Sequence, residues 1–433
     1  MRSGRSPGRE YYRFISASLA SNLGDGISLV VYPWLAAILT RDPVLIGLTL
    51  AIWRAPWLLF SLPMGVLLDR TNRFDAMVRA NVVRAALAVL VAVLFSVGLM
   101  DVWLFYACVF LLGSCTVLYQ LAAETAVPSL VDGKRLEQAY GSLWSFELLA
   151  SQFGGPLLAG LLIGGLLFVP LTASAAATAV AALLLSWVSR SASPPGATTA
   201  DRAGAGRRAA RMSRQVKEAL VHLGRDRRLR ALALTLAVLN PVVAMVQATF
   251  LLYVQEVLSG GSLTYGALVA AGGVGGIAGG LCAKRLTERL SIGAILCSFF
   301  YIAAVVHVGI ALVAAPVVVG ALNFAFNFTV IVWNVVARSS RQRIMSDEMR
   351  GRVTSAMRFL SWGLVPAGFL AGGVVVKALE PVVGRDWALR APMLAGAALF
   401  VLIGLVAGRT LTTKYMTAPD EKAARPAAMA RRP

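Results

Sequence analysis

Twelve stretches of this chain stay apolar for about twenty residues or more, the length a helix needs to cross the hydrocarbon of a bilayer. In the first half they fall near Phe14–Leu39, Val44–Leu68, Asp75–Leu99, Val102–Val127, Gln138–Leu166 and Phe168–Val188. In the second they fall near Leu229–Leu258, Thr264–Leu286, Ile292–Val313, Pro316–Arg338, Val353–Leu379 and Leu389–Gly408. With 58% of its residues hydrophobic and 14% charged, the chain has more apolar surface than one water-soluble core can hide. The fold expected is an all-α polytopic membrane protein, with 12 transmembrane helices in two pseudo-symmetric six-helix bundles. Very short turns such as Thr40–Pro43 make neighbouring spans antiparallel, and the first run is too long for a cleaved leader. Pro33, Pro56, Pro63, Pro156, Pro241, Pro316 and Pro366 lie in or beside spans, where they predict bends without breaks.

A net charge of +20 would suit a nucleic-acid binder if it were clustered on a soluble face. Here it alternates from loop to loop. Most Lys and Arg lie before the first span, after each even-numbered span, in the central linker and in the tail; the other set of loops holds only Arg41, Arg385 and Arg390. Positive charge is retained on the cytoplasmic side, so both termini and the linker are expected there, in a cell membrane and without nucleic-acid binding. The segments are then an arm at 1–13, a bundle at 14–188, a basic linker at 189–228, a second bundle at 229–408 and a basic tail at 409–433. Linker residues Arg207–Arg230 carry apolar positions at helical spacing, which suits an amphipathic helix on the membrane surface. Cys108, Cys115, Cys282 and Cys297 lie within apolar runs, and His222 and His307 stand far apart, so no disulfide framework or metal site is expected.

The halves share their punctuation. Gly65-Val-Leu-Leu-Asp69-Arg70-Thr-Asn-Arg73 aligns with Gly280-Leu-Cys-Ala-Lys284-Arg285, and the same offset carries Asp132 onto Asp347 and Arg135 onto Arg350. Two membrane-embedded halves on one plan indicate a duplicated transporter. Asp69, Arg70 and Arg73 must sit at the water boundary, where they are expected to form a cytoplasmic latch, while Gly65 is expected to let a neighbouring backbone come close.

The Gly65 to Arg73 stretch resembles the signature loop between the second and third helices of the major facilitator superfamily. Ser21-Asn-Leu-Gly-Asp25-Gly, Arg350-Gly-Arg-Val and Arg358-Phe-Leu-Ser-Trp362-Gly are similar to that superfamily's bacterial drug and macrolide efflux branch, which also contains siderophore exporters. Gly154-Gly-Pro156-Leu-Leu-Ala-Gly160 resembles the fifth-helix motif of its proton-driven antiporters. The chain departs from the pattern in having no arginine between Val102 and Val127, and in placing Lys284 where the first loop has Asp69.

A charge in mid-span is costly to keep, so each one is a functional candidate. Asp25 shares a helix face with Ser18, Ser21, Asn22, Ser28 and Tyr32, a polar stripe expected to line a wet cavity; the bland reading is a buried ion pair. Arg54 is its natural partner and Arg84 a rival, and release of the partner would favour proton uptake. Glu147 and Glu124 are further proton-coupling candidates, Glu124 being as well suited to a solvated role. Asn22, Tyr32, Gln120, Trp144, Gln247, Asn323, Asn327 and Trp362 are the substrate-cavity candidates. For Asn240, Asn334 and the other amides a simple helix staple is an even alternative, as is space filling for Trp333 and Trp362. The expected activity is export of a lipophilic small molecule in exchange for protons, by a monomer that needs no cofactor beyond the proton gradient. Import or uniport on the same fold is the alternative. A membrane enzyme or channel is more distant, because no phosphate loop, metal set or nucleophile triad is present.

Overall fold

A computed structural model describes residues 8–68, 71–131, 135–164, 168–191, 227–344, 357 and 361–408. The helices are α1 (Arg9–Leu39), α2 (Pro43–Leu68), α3 (Arg73–Ser96) and α4 (Val102–Leu130). Next, α5 runs as α-helix over Leu136–Glu147, as π-helix over Leu148–Gly154 and again as α-helix over Gly155–Ile163, and α6 is Phe168–Ser191. In the second half α7 is Arg227–Leu252 with a π-helical end at Tyr253–Val257, followed by α8 (Ser262–Arg289), α9 (Ile292–Leu312) and α10 (Pro316–Ile344). The helical stretch Val365–Ala407 is one in hydrogen bonding but two in direction. Gly384 has φ 77° and ψ 164°, a conformation that costs a side-chain-bearing residue dearly, and it separates α11 (365–383) from α12 (385–407). Among the described residues the chain therefore crosses twelve times, and its first and last helices begin and end on one face, called here the terminal face.

Prolines 33, 56, 63 and 241 lie inside continuous helices, as expected. Pro156 is accommodated differently: the wider π turn at 148–154 comes immediately before it, so the backbone deformation that a ring without an N–H imposes is taken up there. The Gly154-Gly155-Pro156 motif is also a close contact. A Cβ on Gly155 would lie 2.5 Å from Gly26 Cα, and one on Gly26 would lie 2.7 Å from the Ala150 carbonyl oxygen, so α1 and α5 meet backbone to backbone.

Each half packs on itself, α1 and α3 against α6 and α2 and α3 against α4 in the first, α8 against α10 and α9 against α12 in the second. The halves meet along α2 with α11 and α5 with α8. Glycines bring those pairs together: a Cβ on Gly373 would lie 2.4 Å from the Pro43 carbonyl oxygen, and one on Gly273 would lie 2.2 Å from that of Gln152. Gly65 behaves otherwise. No described residue lies within 4 Å of where its Cβ would be, so the close approach expected there is not made among the described residues, and Leu59 and Leu67 are exposed beside it.

Candidate functional site

Asp25 sits where α1 is held on both sides by glycine contacts, Gly24 against Ser174 and Thr178 of α6 and Gly26 against the π turn of α5. That seat turns its face into the first half. Ser18, Ser21, Asn22, Asp25, Ser28 and Tyr32 are all buried, and of this stripe Asp25, Ser28 and Tyr32 reach a small cavity. The stripe is spent on neighbours: Ser21 Oγ donates to Asn81 Oδ1 at 3.1 Å, Asn22 donates to the Ser18 carbonyl, and Ser28 and Ser174 share a hydrogen bond. Tyr32 packs edge-on against Trp53 and Phe105.

The partner of Asp25 is Arg84 of α3, not Arg54. Arg84 Nη2 donates to Asp25 Oδ1, and Nη1 donates to Ser21 Oγ at 2.9 Å and Asn81 Oδ1 at 3.0 Å. Thr116 Oγ1 of α4 approaches Asp25 Oδ1 at 3.4 Å, and Tyr119 lies under the guanidinium. Sequence spacing could not choose between the two arginines because the choice depends on which helix faces α1. Asp25 Oδ2 is buried and has no hydrogen-bond partner among the described residues. Asp25, Ser28, Tyr32, Trp53, Arg84 and Thr116 line a cavity with room for about one water molecule. Chemically the cluster is a desolvated carboxylate with one oxygen neutralised and the other open to a proton or water.

Arg54 lies elsewhere, on the seam between the halves. Its guanidinium carbon is 4.9 Å from the ring centre of Trp53 and 5.2 Å from that of Trp362 on the other half. Asp25 and Glu147 are within its electrostatic reach. Trp144 of α5 also meets the other half, with the Arg338 guanidinium of α10 4.1 Å from its ring centre. Glu147, Glu124 and Gln120 are half-buried, and the Glu124 backbone carbonyl accepts the Tyr140 hydroxyl.

The second-half amides separate into two kinds. Asn323 Nδ2 donates to the Leu268 carbonyl at 2.6 Å, Asn327 donates back to Asn323, and Asn240 donates to the Ser361 carbonyl at 3.0 Å. These are bonds that tie or line helix contacts. Gln247 is exposed and hydrogen-bonds to nothing among the described residues. Trp333 fills space, fully buried with its N–H on the Leu296 carbonyl, whereas Trp362 is 44% exposed.

Of the expected latch, Asp69 and Arg70 lie outside the described residues, as do linker residues 192–226, the tail and Arg350. Arg73 donates to the Thr125 carbonyl at 2.7 Å and so ties the start of α3 to α4. An ionic clasp between the halves does occur on the opposite face. Lys377 of α11 pairs with Asp42, Arg41 donates to Gln255 at 2.8 Å, and Arg385 pairs with Glu256 and Glu380 while donating to the Arg41 carbonyl. Burial would raise the Asp42 pKa, but the Lys377 hydrogen bond and the Val44 N–H outweigh it and hold the carboxyl below its ordinary value. The signal for this clasp was present as opposite charges at three sparse outer connections, yet only the fold brings them together.

Residues 7–429 match the family described as transmembrane secretion effector. Two structures of a bacterial homologue of the human lysosomal transporter Spinster, both inward-facing, superpose on 96% of this chain and 100% of theirs. The unoccupied one has a TM-score of 0.72 at 14% identity and the occupied one 0.75 at 13%. A bacterial homologue of the iron transporter ferroportin, also inward-facing, is similar over 93% of this chain and 100% of its own, at a TM-score of 0.69 and 16% identity. The curated proteins include no match to this sequence.

Proposed function

The chain belongs to the transmembrane secretion effector family of major facilitator superfamily transporters, and from that premise we propose that it exports a lipophilic small molecule in exchange for protons. The observation that carries the proton half of this reading is the Asp25 carboxylate, buried against Arg84 with Oδ2 unpartnered beside a water-sized cavity. A carboxylate in that setting changes its proton affinity when a neighbouring helix moves its cation, and α1, which bears it, is locked by Gly26 to the π turn of α5, which also touches α8 of the other half. Rocking of one half on the other therefore reaches the acid directly through packed backbone.

The family's secretion label and the basic terminal loops support outward transport, with both termini on the cytoplasmic side of the cell membrane and a monomer as the working unit. In this orientation the ionic clasp closes the outer face, and the seam bearing Arg54 and Trp362 faces the interior of the cell. Glu147 and Glu124 are secondary proton carriers, and Asp69 and Arg70 complete a cytoplasmic latch with Arg73.

The test is proton movement in proteoliposomes when a lipophilic cation, a neutral macrolide or a catecholate siderophore is added against an imposed pH gradient. Substrate-dependent proton flux that Asp25→Asn abolishes, with ligand binding retained, is the expected result. Binding without any proton movement identifies a uniporter and returns Asp25 to a structural ion pair.

A further inference from the structure

Arg54 is a charge kept at the seam of the two halves with no ionic bond to any described residue. It makes no hydrogen bond or ion pair among the described residues, and its guanidinium lies against the indole rings of Trp53 and Trp362. Asp25 has given its bonded oxygen to Arg84 and Thr116. Rings that cover the guanidinium face leave its in-plane N–H donors unspent, and five such donors in a rigid fork match a planar oxyanion held by two parallel hydrogen bonds. Trp362, 44% exposed, supplies an apolar surface next to that fork. Elsewhere between the halves the Arg338 guanidinium of α10 lies over Trp144 of α5, itself 37% exposed, so the pairing of guanidinium and indole occurs twice.

We propose that Arg54 and Trp362 form a substrate subsite for an amphipathic aromatic anion, with the anion's carboxylate on the Arg54 fork and its ring against Trp362. An organic cation meets like charge at this subsite, and a neutral analogue leaves the fork half-used. Asp25 and Glu147 reduce the cost of holding Arg54 within the membrane without occupying its donors. The assignment rests on the reading of the chain as a transporter of a lipophilic small molecule, not on proton exchange at Asp25. An inside-negative potential drives an anion outward, so this class suits export with or without a counter-moving proton.

Three probes of one shape test it: 1-pyrenebutyrate, its primary amide and the matched trimethylammonium derivative, bound to the full chain in nanodiscs of neutral phosphatidylcholine, with empty nanodiscs as blanks. The acid is expected to bind at least tenfold tighter than the amide, and the cation weakest. Arg54→Gln should bring the acid down to the affinity of the amide while the amide changes less than twofold; Trp362→Leu should weaken acid and amide alike. Arg54→Lys, which keeps the charge but loses the fork, should retain only part of the preference, and it decides the matter together with the wild-type comparison if Arg54→Gln does not fold. Equal affinities for acid and amide, tighter binding of the cation, an acid preference that survives Arg54→Gln, or no binding of any probe overturns the assignment. An anion preference that persists while proton flux proves independent of Asp25 sinks the exchange reading alone; the reverse pattern sinks this one alone.

Discussion

The two halves share a helical plan but hold different chemistry at their centres. In the first half Asp25 and Arg84 are buried as a pair, tied to Ser21, Asn81 and Thr116. In the second, no buried Asp, Glu, Lys or Arg occurs among the described residues; the centre is an aromatic cluster of Phe299, Phe326, Trp333 and Phe400 around His307, whose ring nitrogen is bonded to the Ala303 carbonyl at 2.7 Å. One half carries a buried charged pair at its centre and the other an aromatic packing cluster. Duplication thus conserved the scaffold while leaving each core free to specialise.

The largest expected effect strikes the charged core. Arg84→Ala leaves the Asp25 carboxylate buried without its cation and should cost about 3–5 kcal/mol, read as a fall in thermal midpoint of the detergent-solubilised protein. Adding Asp25→Asn to it should recover part of the loss. If Arg84→Ala costs no more than a second-half hydrogen bond, the contrast between the halves collapses.

Next comes the seat that orients α1. Gly155→Ala forces a Cβ onto Gly26 Cα at 2.5 Å, and displacing either helix should cost about 1–3 kcal/mol. Gly65→Ala, with no described residue within 4 Å of the added Cβ, should be near neutral in the same assay; equal losses at both sites would show that helix propensity and not contact sets the effect. In the second half, Asn323→Ala removes a bond from α10 to the Leu268 carbonyl and should cost about 1 kcal/mol, with no change in proton flux.

The smallest effect belongs to the outer clasp. Asp42 titrates below its ordinary 3.8, so its pairing with Lys377 contributes fully above that value and is lost as pH falls through the depressed one. Lys377 is largely exposed, and solvent screening keeps the contribution to less than about 1 kcal/mol. Unfolding measured from pH 6 down to pH 2 should show an acid-dependent loss that Asp42→Asn removes; identical profiles for the two proteins would discount the pair.

Much of the fold was legible because a bilayer makes span length and charge placement nearly obligatory. The apolar runs at Val102–Val127 and Ile292–Val313 match α4 and α9 to within a few residues, since a charge or turn had to end each one. The candidate site was legible only as an inventory. Asp25 and both arginines stood out in mid-span, but spacing along one helix says nothing about which neighbour it faces, and so Arg54 and Arg84 exchanged roles. The polar stripe was ambiguous for a related reason: Ser and Asn on α1 satisfy a helix contact as readily as they line water.

The sequence by itself determined an all-helical membrane fold and the short list of charged residues within the spans, because each follows from what hydrocarbon will not tolerate, and its motifs carried the likeness to the superfamily. Only the tertiary structure decided that Asp25 belongs to Arg84, that Arg54 belongs to the seam with Trp362, and that the outer loops clasp through Asp42 and Lys377. Those pairings depend on how helices rotate about their axes and how closely they approach. Glycine contacts such as Gly26 on Gly155 and Gly373 on Pro43 set both, and they act between residues distant in sequence.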